Sequence, residues 1–304
     1  MTTATFWPTF SKKYTVLGIA FKMKKIPNFI VIGAARSGTT SLFQYLDAHP
    51  QIGMSPVKEL NFFSRPAYEK KGVNWYQDRF PKRDNLLAIG EASTSYTTYP
   101  YAPDVAARIA AYNPEIRLIY VVRNPLERYI SHFLQRTKAG TETRQFDETF
   151  QDLEKETFTW QGRYYYQLSQ YLRVFPKDQL LVISFDRIKS DTNQVVQDLY
   201  HFLGVSEFST EEVTSKTHNA AGNVYRKKLF GLLVLRFYRA YIEQRNFPFR
   251  FKKFFSTVAN WGAIPVDKPV LKPEQRQQLI DFYREDSQQL SDTFSIPTKH
   301  WFDD

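Results

Sequence analysis

The segment Gly33-Ala34-Ala35-Arg36-Ser37-Gly38-Thr39-Thr40 sets glycines, hydroxyls and one cation close together in the chain. Glycines let the backbone turn sharply, and a helix beginning there presents unpaired N–H groups to an anion. The spacing approaches the G-x-x-x-x-G-K-[ST] nucleotide loop, with Thr39 where the lysine would stand. In ATPases and kinases that lysine reaches the terminal phosphates while a hydroxyl holds Mg²⁺. A loop without it has no need of a triphosphate. Backbone donors, the hydroxyls of Ser37, Thr39, Thr40 and Ser41, and the Arg36 guanidinium suffice for a smaller anion. The bland alternative is a Gly-Ser-Thr helix cap that holds nothing.

The elements around this loop favour an anion site over an empty cap. Asn28–Gly33 is a short apolar run rich in β-branched residues, and Thr40–Ala48 has helical spacing, so strand, loop and helix follow in order. His49-Pro50 closes that helix. Leu86–Ile89, Ile116–Val122 and Gln179–Phe185 read as further strands. Helices are expected at Pro103–Tyr112, from Pro125 in its favoured first position, at Thr192–Leu203 before Gly204, and at Pro273–Leu290. Apolar strands alternating with helices predict an α/β fold: a P-loop-type parallel sheet with helices on both faces, in a single domain. Residues 1–26 are expected to be a loosely attached tail, with Met23 a candidate start, and 27–304 the domain.

Composition narrows the function classes. The 304 residues contain no cysteine, so disulfides and thiolate metal sites are excluded, in keeping with a reducing cytoplasm. The formal net charge of +10 favours an anionic partner: a phosphorylated cofactor, an acidic glycan, a membrane surface or a nucleic acid. No run approaches the ~20 apolar residues needed to span a bilayer. The histidines show no metal-ligand spacing, and no metal is expected.

The motifs resemble the sulfotransferases that use 3′-phosphoadenosine-5′-phosphosulfate (PAPS), in particular the bacterial branch and the heparan-sulfate and protein-tyrosine sulfotransferases. The resemblance rests on the apolar strand, the Arg36–Leu42 loop, His49-Pro50 and Lys58-Glu59-Leu60-Asn61-Phe62-Phe63. It implies that Arg36, Ser37, Gly38, Thr39, Thr40 and Ser41 bind the 5′-phosphosulfate. A second motif, Arg123-Asn124-Pro125 with Ser131, resembles the family's 3′-phosphate site. Arginine offers a planar fork to phosphate, and the serine sits about two helical turns on. Gly90-Glu91-Ala92-Ser93 resembles a G-E-x-S segment, and Gly162-Arg163-Tyr164 a G-x-Y helix. Lys216–Asn219 with Arg226 resembles a late basic loop that closes over the cofactor.

The resemblance further implies that Glu59 is the base that takes the acceptor proton. Arg36 would stabilise charge on the bridging oxygen, with Lys58 a second cation. On its own, Glu59 beside Lys58 would read as a solvated surface pair. The implied product is 3′,5′-adenosine bisphosphate, and the implied acceptor is a hydroxyl of a glycan, lipid or small metabolite. His49 is expected to cap its helix, His132 to pack beside Ser131, and Tyr96 and Tyr164 to line the pocket. The stretch Tyr225–Phe255 interleaves cations with aromatics. It reads as a packed amphipathic helix, a docking surface for an acidic glycan or lipid, or a peripheral membrane contact, with the aromatics expected to face inward. Two other functions compete. A nucleotide-dependent phosphotransferase using ATP and Mg²⁺ lacks its loop lysine here. A basic nucleic-acid-binding protein would explain the charge but not the phosphate loop, and no nucleic acid is expected as partner.

Overall fold

The computed structural model describes residues 26–64, 67–209, 224–227, 229–241, 257–258 and 261–303. Residues 1–25, Lys216, His218 and Asn219 lie outside the described residues. Five strands form one parallel sheet: β1 (Phe29–Gly33), β2 (Ile52–Met54), β3 (Ala88–Ala92), β4 (Arg117–Val122) and β5 (Leu180–Ser184). Their order is β2-β3-β1-β4-β5. Ile30 of the central strand lies opposite Glu91 of β3 on one side and Leu118 of β4 on the other. All of β1 is buried, which is why its sequence is a continuous apolar run and not an alternation.

The helices are α1 (Thr39–Asp47), α2 (Ala67–Gln77, broken at Gly72), α3 (Val105–Tyr112), α4 (Pro125–Ala139), α5 (Thr157–Trp160), α6 (Tyr164–Leu172), α7 (Phe185–Ser190), α8 (Thr192–Leu203), α9 (Leu229–Tyr241) and α10 (Pro273–Phe294). Successive strand residues serve opposite faces. Phe29, Val31, Ile119 and Val121 pack with Leu42 and Leu46 of α1 and Val196 and Leu199 of α8. Ile30, Ile32, Leu118 and Tyr120 pack with Ile109 of α3 and with Leu168 and Tyr171 of α6. A third cluster joins Tyr129, Ile130 and Phe133 of α4 to Phe158 and to Leu279, Ile280 and Tyr283 of α10.

Two side chains set the pose of the helices nearest the loop. Asn124 caps α4 by accepting from the Leu126 N–H at 2.9 Å, and its Nδ2 donates to the Trp301 carbonyl at 2.8 Å. Asp286 of α10 accepts from the Tyr165 and Tyr166 N–H groups at 3.0 and 2.8 Å, capping the first turn of α6. These bonds anchor the C-terminal helix and tail to the sheet domain.

Three expectations are corrected. The strand expected at Leu86–Ile89 lies at Ala88–Ala92. Gly90 belongs inside it because a Cβ there would sit 2.4 Å from the Phe29 carbonyl oxygen. The aromatics of the basic stretch do not all turn inward: Phe230 and Phe237 of α9 are exposed. Ile52–Met54 and Ala67–Gln77 carry elements that the sequence reading leaves as loop. Among the described residues, no helix is long and apolar enough to cross a membrane.

Candidate active site

The loop after β1 leads directly into α1. Gly38 precedes the helix in the left-handed region, at φ 94°, and no side chain caps it. The first N–H groups of α1 are therefore left to an outside acceptor. Gly38 is required there on two counts: the positive φ, and Phe185, whose ring would lie 2.7 Å from an added Cβ. Arg36 also has a positive φ, 70°. Ser37 is fully buried and its hydroxyl finds no hydrogen-bond partner among the described residues. An unpaired buried hydroxyl is costly unless a ligand completes it.

The second motif meets the first. Arg36 Nε donates to Ser131 Oγ at 3.1 Å, across 95 residues of sequence. Arg123 Nη1 donates to the Arg36 carbonyl at 3.3 Å, and its guanidinium sits 5.0 Å from the Phe185 ring centroid. Glu127 holds the remaining face of Arg123, with bonds of 3.1 Å to Nε and 2.6 Å to Nη2. Tyr164 locks the backbone beneath: its hydroxyl donates to the Arg123 carbonyl at 2.7 Å and accepts from the Arg123 N–H at 3.3 Å. Burial, then the nearby charge of Arg123, pull the Arg36 pKa down from its ordinary value. A bound anion between the two guanidiniums would relieve that repulsion. His132, next to Ser131, is pushed well below its ordinary pKa, first by burial and then by Arg128, Arg136 and Arg36.

Glu59 is not a solvated surface glutamate. Oε1 accepts from Lys58 Nζ at 2.7 Å and from Thr94 Oγ1 at 3.1 Å, while Oε2 accepts from the Thr94 N–H at 2.9 Å. Its own N–H donates to the Ala92 carbonyl at 2.9 Å. The residue has φ 64° and Asn61 has φ 51°, both left-handed. Non-glycine residues persist there only when surrounding bonds over-determine them. The Glu59 loop is thus strapped to the chain leaving β3, next to β1 and the glycine-bearing loop that follows it.

Not every expected residue joins this cluster. Arg226 lies on a short strand, β6 (Val224–Arg226), paired antiparallel with β7 (Ile264–Val266). Its Nη2 donates to the Arg144 carbonyl at 2.9 Å, beyond the C-terminal end of α4, not to Arg36, Ser131 or Arg123. His49 does more than end a helix. It is buried, its Nδ1 accepts from the Gln51 N–H, and its Nε2 lies 2.9 Å from the Ser206 carbonyl. Tyr96 and Tyr164 are buried. Sequence reasoning missed Thr94, Glu127 and Asp286. Thr94 had one available signal, its place just after the G-E-x-S segment.

An α/β sheet with an anion loop at the end of its central strand, and an arginine–serine pair one strand over, defines the P-loop-type class of nucleotide-binding folds. Within that class the chain belongs to the sulfotransferase family: the Sulfotransferase domain matches residues 27–294. It is 31% identical over 196 residues to mouse heparan sulfate glucosamine 3-O-sulfotransferase 3B1, covering 62% of this chain and 49% of that protein. To the Caenorhabditis briggsae bifunctional heparan sulfate N-deacetylase/N-sulfotransferase 1 it is 26% identical over 209 residues, 62% of this chain and 24% of that one. The chain thus spans about half or less of the length of these curated relatives. A sulfotransferase from Alicyclobacillus acidocaldarius superposes with TM-score 0.63 at 26% identity, over 90% of this chain and 98% of that one. Mouse sulfotransferase SULT7A1, solved with PAP, shares the fold at TM-score 0.50 and 16% identity, over 86% and 84% of the two chains.

Proposed function

We propose that this protein transfers the sulfuryl group of PAPS to a hydroxyl of a glycan acceptor. The observation that carries the reading is the contact between the two motifs: Arg36 on Ser131 and Arg123 on the Arg36 carbonyl. Two anion-binding groups meet at one edge of the sheet, as a nucleotide phosphorylated at both ends of its ribose requires. The residues fit such a group. The unpaired Ser37 hydroxyl and the uncapped start of α1 are donors lacking an acceptor among the described residues, and the Arg36 and Arg123 guanidiniums lie beside them. When bound, PAPS supplies an activated sulfuryl group on a 5′-phosphate leaving group.

The chain's own residues divide the remaining work. The N–H groups of Thr39, Thr40 and Ser41, with Ser37 and Arg36, grip the 5′ end. Arg123 and Ser131 grip the 3′-phosphate. Glu59 takes the acceptor proton, and Lys58, 2.7 Å from that carboxylate, is the second cation beside the reacting oxygens. The glycan acceptor is supported by the heparan sulfate relatives and by the net charge of +10.

Thermal shift with 3′,5′-adenosine bisphosphate against ATP and Mg²⁺ tests the nucleotide. Stabilisation by the first alone is expected, and stabilisation by ATP alone would move the chain to a phosphotransferase. Glu59→Gln should keep bisphosphate binding while losing ~10²-fold or more in turnover on heparan sulfate oligosaccharides, the range for one general base. Unchanged turnover would remove Glu59 as the base.

A further inference from the structure

Glu91 is fully buried on β3, yet it carries no part of the scheme above. Among the described residues no lysine or arginine pairs with it. Its partners are three hydroxyls: Tyr96 at 2.6 Å and Tyr76 at 3.2 Å on Oε1, and Ser93 at 2.6 Å on Oε2. Two of these hydroxyls have a second duty. Ser93 Oγ accepts from the Asn61 N–H at 2.9 Å, and the Tyr96 oxygen accepts from the Phe63 N–H at 3.3 Å. Asn61 and Phe63 lie two and four residues beyond Glu59.

We infer that Glu91 is a positioning residue for Glu59, acting through the polarity of Ser93 and Tyr96. The inference rests on reading Glu59 as the base. Above the pH of about 7 at which the buried Glu91 carboxyl ionises, it accepts only, and a hydroxyl has one proton to give. Ser93 and Tyr96 must therefore both point their protons at Glu91. Their lone pairs are then fixed toward the N–H groups of Asn61 and Phe63. A group at position 91 that also donates would release the proton of one hydroxyl, whose rotation would then no longer be fixed with a lone pair toward the amide. Other bonds hold the same loop: Asn61 Nδ2 donates to the Glu59 carbonyl at 2.6 Å and Ser95 Oγ to Asn61 Oδ1 at 2.5 Å. With Glu59 and Asn61 both left-handed, the loop depends on these straps. The carboxylate itself is aimed by Thr94, the next residue after Ser93.

Glu91→Gln is the test, because it keeps shape and changes only which atoms donate. Three readouts apply at pH 8, where Glu91 is ionised: turnover, bisphosphate affinity and amide hydrogen exchange across residues 59–63. Turnover should fall ~10²-fold, as expected for a misplacement of about 1 Å at a reacting group. Bisphosphate affinity should stay within about twofold, since Glu91 does not reach the anion sites. Exchange at Asn61 and Phe63 should accelerate. In the Glu59→Gln background, adding Glu91→Gln should leave the residual rate unchanged, because residues acting as one unit are not additive. An equal further loss in that background, or unaltered exchange, overturns the inference. Should Glu91→Gln fail to fold, Ser93→Ala removes one strap and is read the same way, with exchange at Asn61 deciding. If Glu59→Gln itself turns over normally, the base assignment has failed, and the exchange readout still decides whether Glu91 holds the loop.

Discussion

Arg123 offers the sharpest test of the two-ended anion site, because the structure shows what it must give up to bind. Its guanidinium is occupied by Glu127 through Nε and Nη2, with only Nη1 on the Arg36 carbonyl. Glu127 is about half exposed, at 51%, so the pair is worth at most ~1 kcal/mol. Charge-assisted hydrogen bonds to a phosphate are worth ~1.5–3 kcal/mol. The ligand would therefore win the guanidinium from Glu127 with a net gain of roughly 0.5–2 kcal/mol, about 2- to 30-fold in affinity. Arg123→Ala should weaken 3′,5′-adenosine bisphosphate by that factor or somewhat more, because Glu127 is then left facing the phosphate. Adenosine 5′-phosphate, which lacks the 3′ group, should bind the variant and the parent alike. Glu127→Gln should act in the opposite direction, tightening the bisphosphate ~2- to 5-fold by freeing Arg123. Titration calorimetry with both nucleotides at one fixed ionic strength reads all of this. Equal losses for the two nucleotides in Arg123→Ala would refute the 3′-phosphate assignment. A weaker bisphosphate in Glu127→Gln would refute the competition.

Gly38→Ala should destabilise the fold by ~2–4 kcal/mol in denaturant melts and reduce bisphosphate affinity, since it combines a left-handed φ with a Cβ 2.7 Å from Phe185; parental stability would show that Phe185 gives way freely. Burial pushes the Glu91 carboxyl up to about 7 from 4.5, against the Ser93, Tyr96 and Tyr76 hydrogen bonds that oppose the shift and with the Glu59 charge adding to it. The folded state then holds a proton that the unfolded state has lost between those values, so this group's contribution to stability falls as pH rises from about 4.5 to 7 and is level above. The full effect is about 3 kcal/mol. Melts of parent and Glu91→Gln at pH 5 and pH 8 should differ in ΔΔG by that order, in favour of the variant at pH 8; one ΔΔG at both values would contradict it.

Elements written by local rules were legible. The apolar run ending at Gly33, the proline opening α4 and the glycine closing α8 each act within a few residues, and all three elements stand where expected. β3 was displaced because Gly90 and Glu91 are strand-breaking types when read alone. The Phe29 carbonyl that demands the glycine lies 61 residues away in sequence, and Tyr76, which helps bury the glutamate, lies 15 away. The site shows the same division. Arg36, Arg123 and Ser131 were legible as types at a spacing, but nothing in the chain announces that Arg36 and Ser131 touch. Asp286 was invisible for a plainer reason: a carboxylate in a polar helix reads as solvated until the N-terminus it caps, 120 residues away in sequence, is seen.

The strand order explains why these pieces had to converge. β3, β1 and β4 are neighbours, and each releases a loop at the same edge: the Ser93–Ser95 strap, the phosphate loop and the Arg123 turn. Adjacent strands lie about 4.8 Å apart, so the three exits span only ~10 Å. The loop after β1, the Ser93–Ser95 strap that holds Glu59, and Arg123 are thereby placed in one row by the sheet alone, before any side chain is chosen. What side chains add differs along the row. Arg36 and Arg123 are long side chains held by Ser131 and Glu127. Glu59 is held by a short threonine, its own loop and the hydroxyls around Glu91. The Glu59 carboxylate accepts three hydrogen bonds, two of them from Thr94, the residue that leaves β3 beside it.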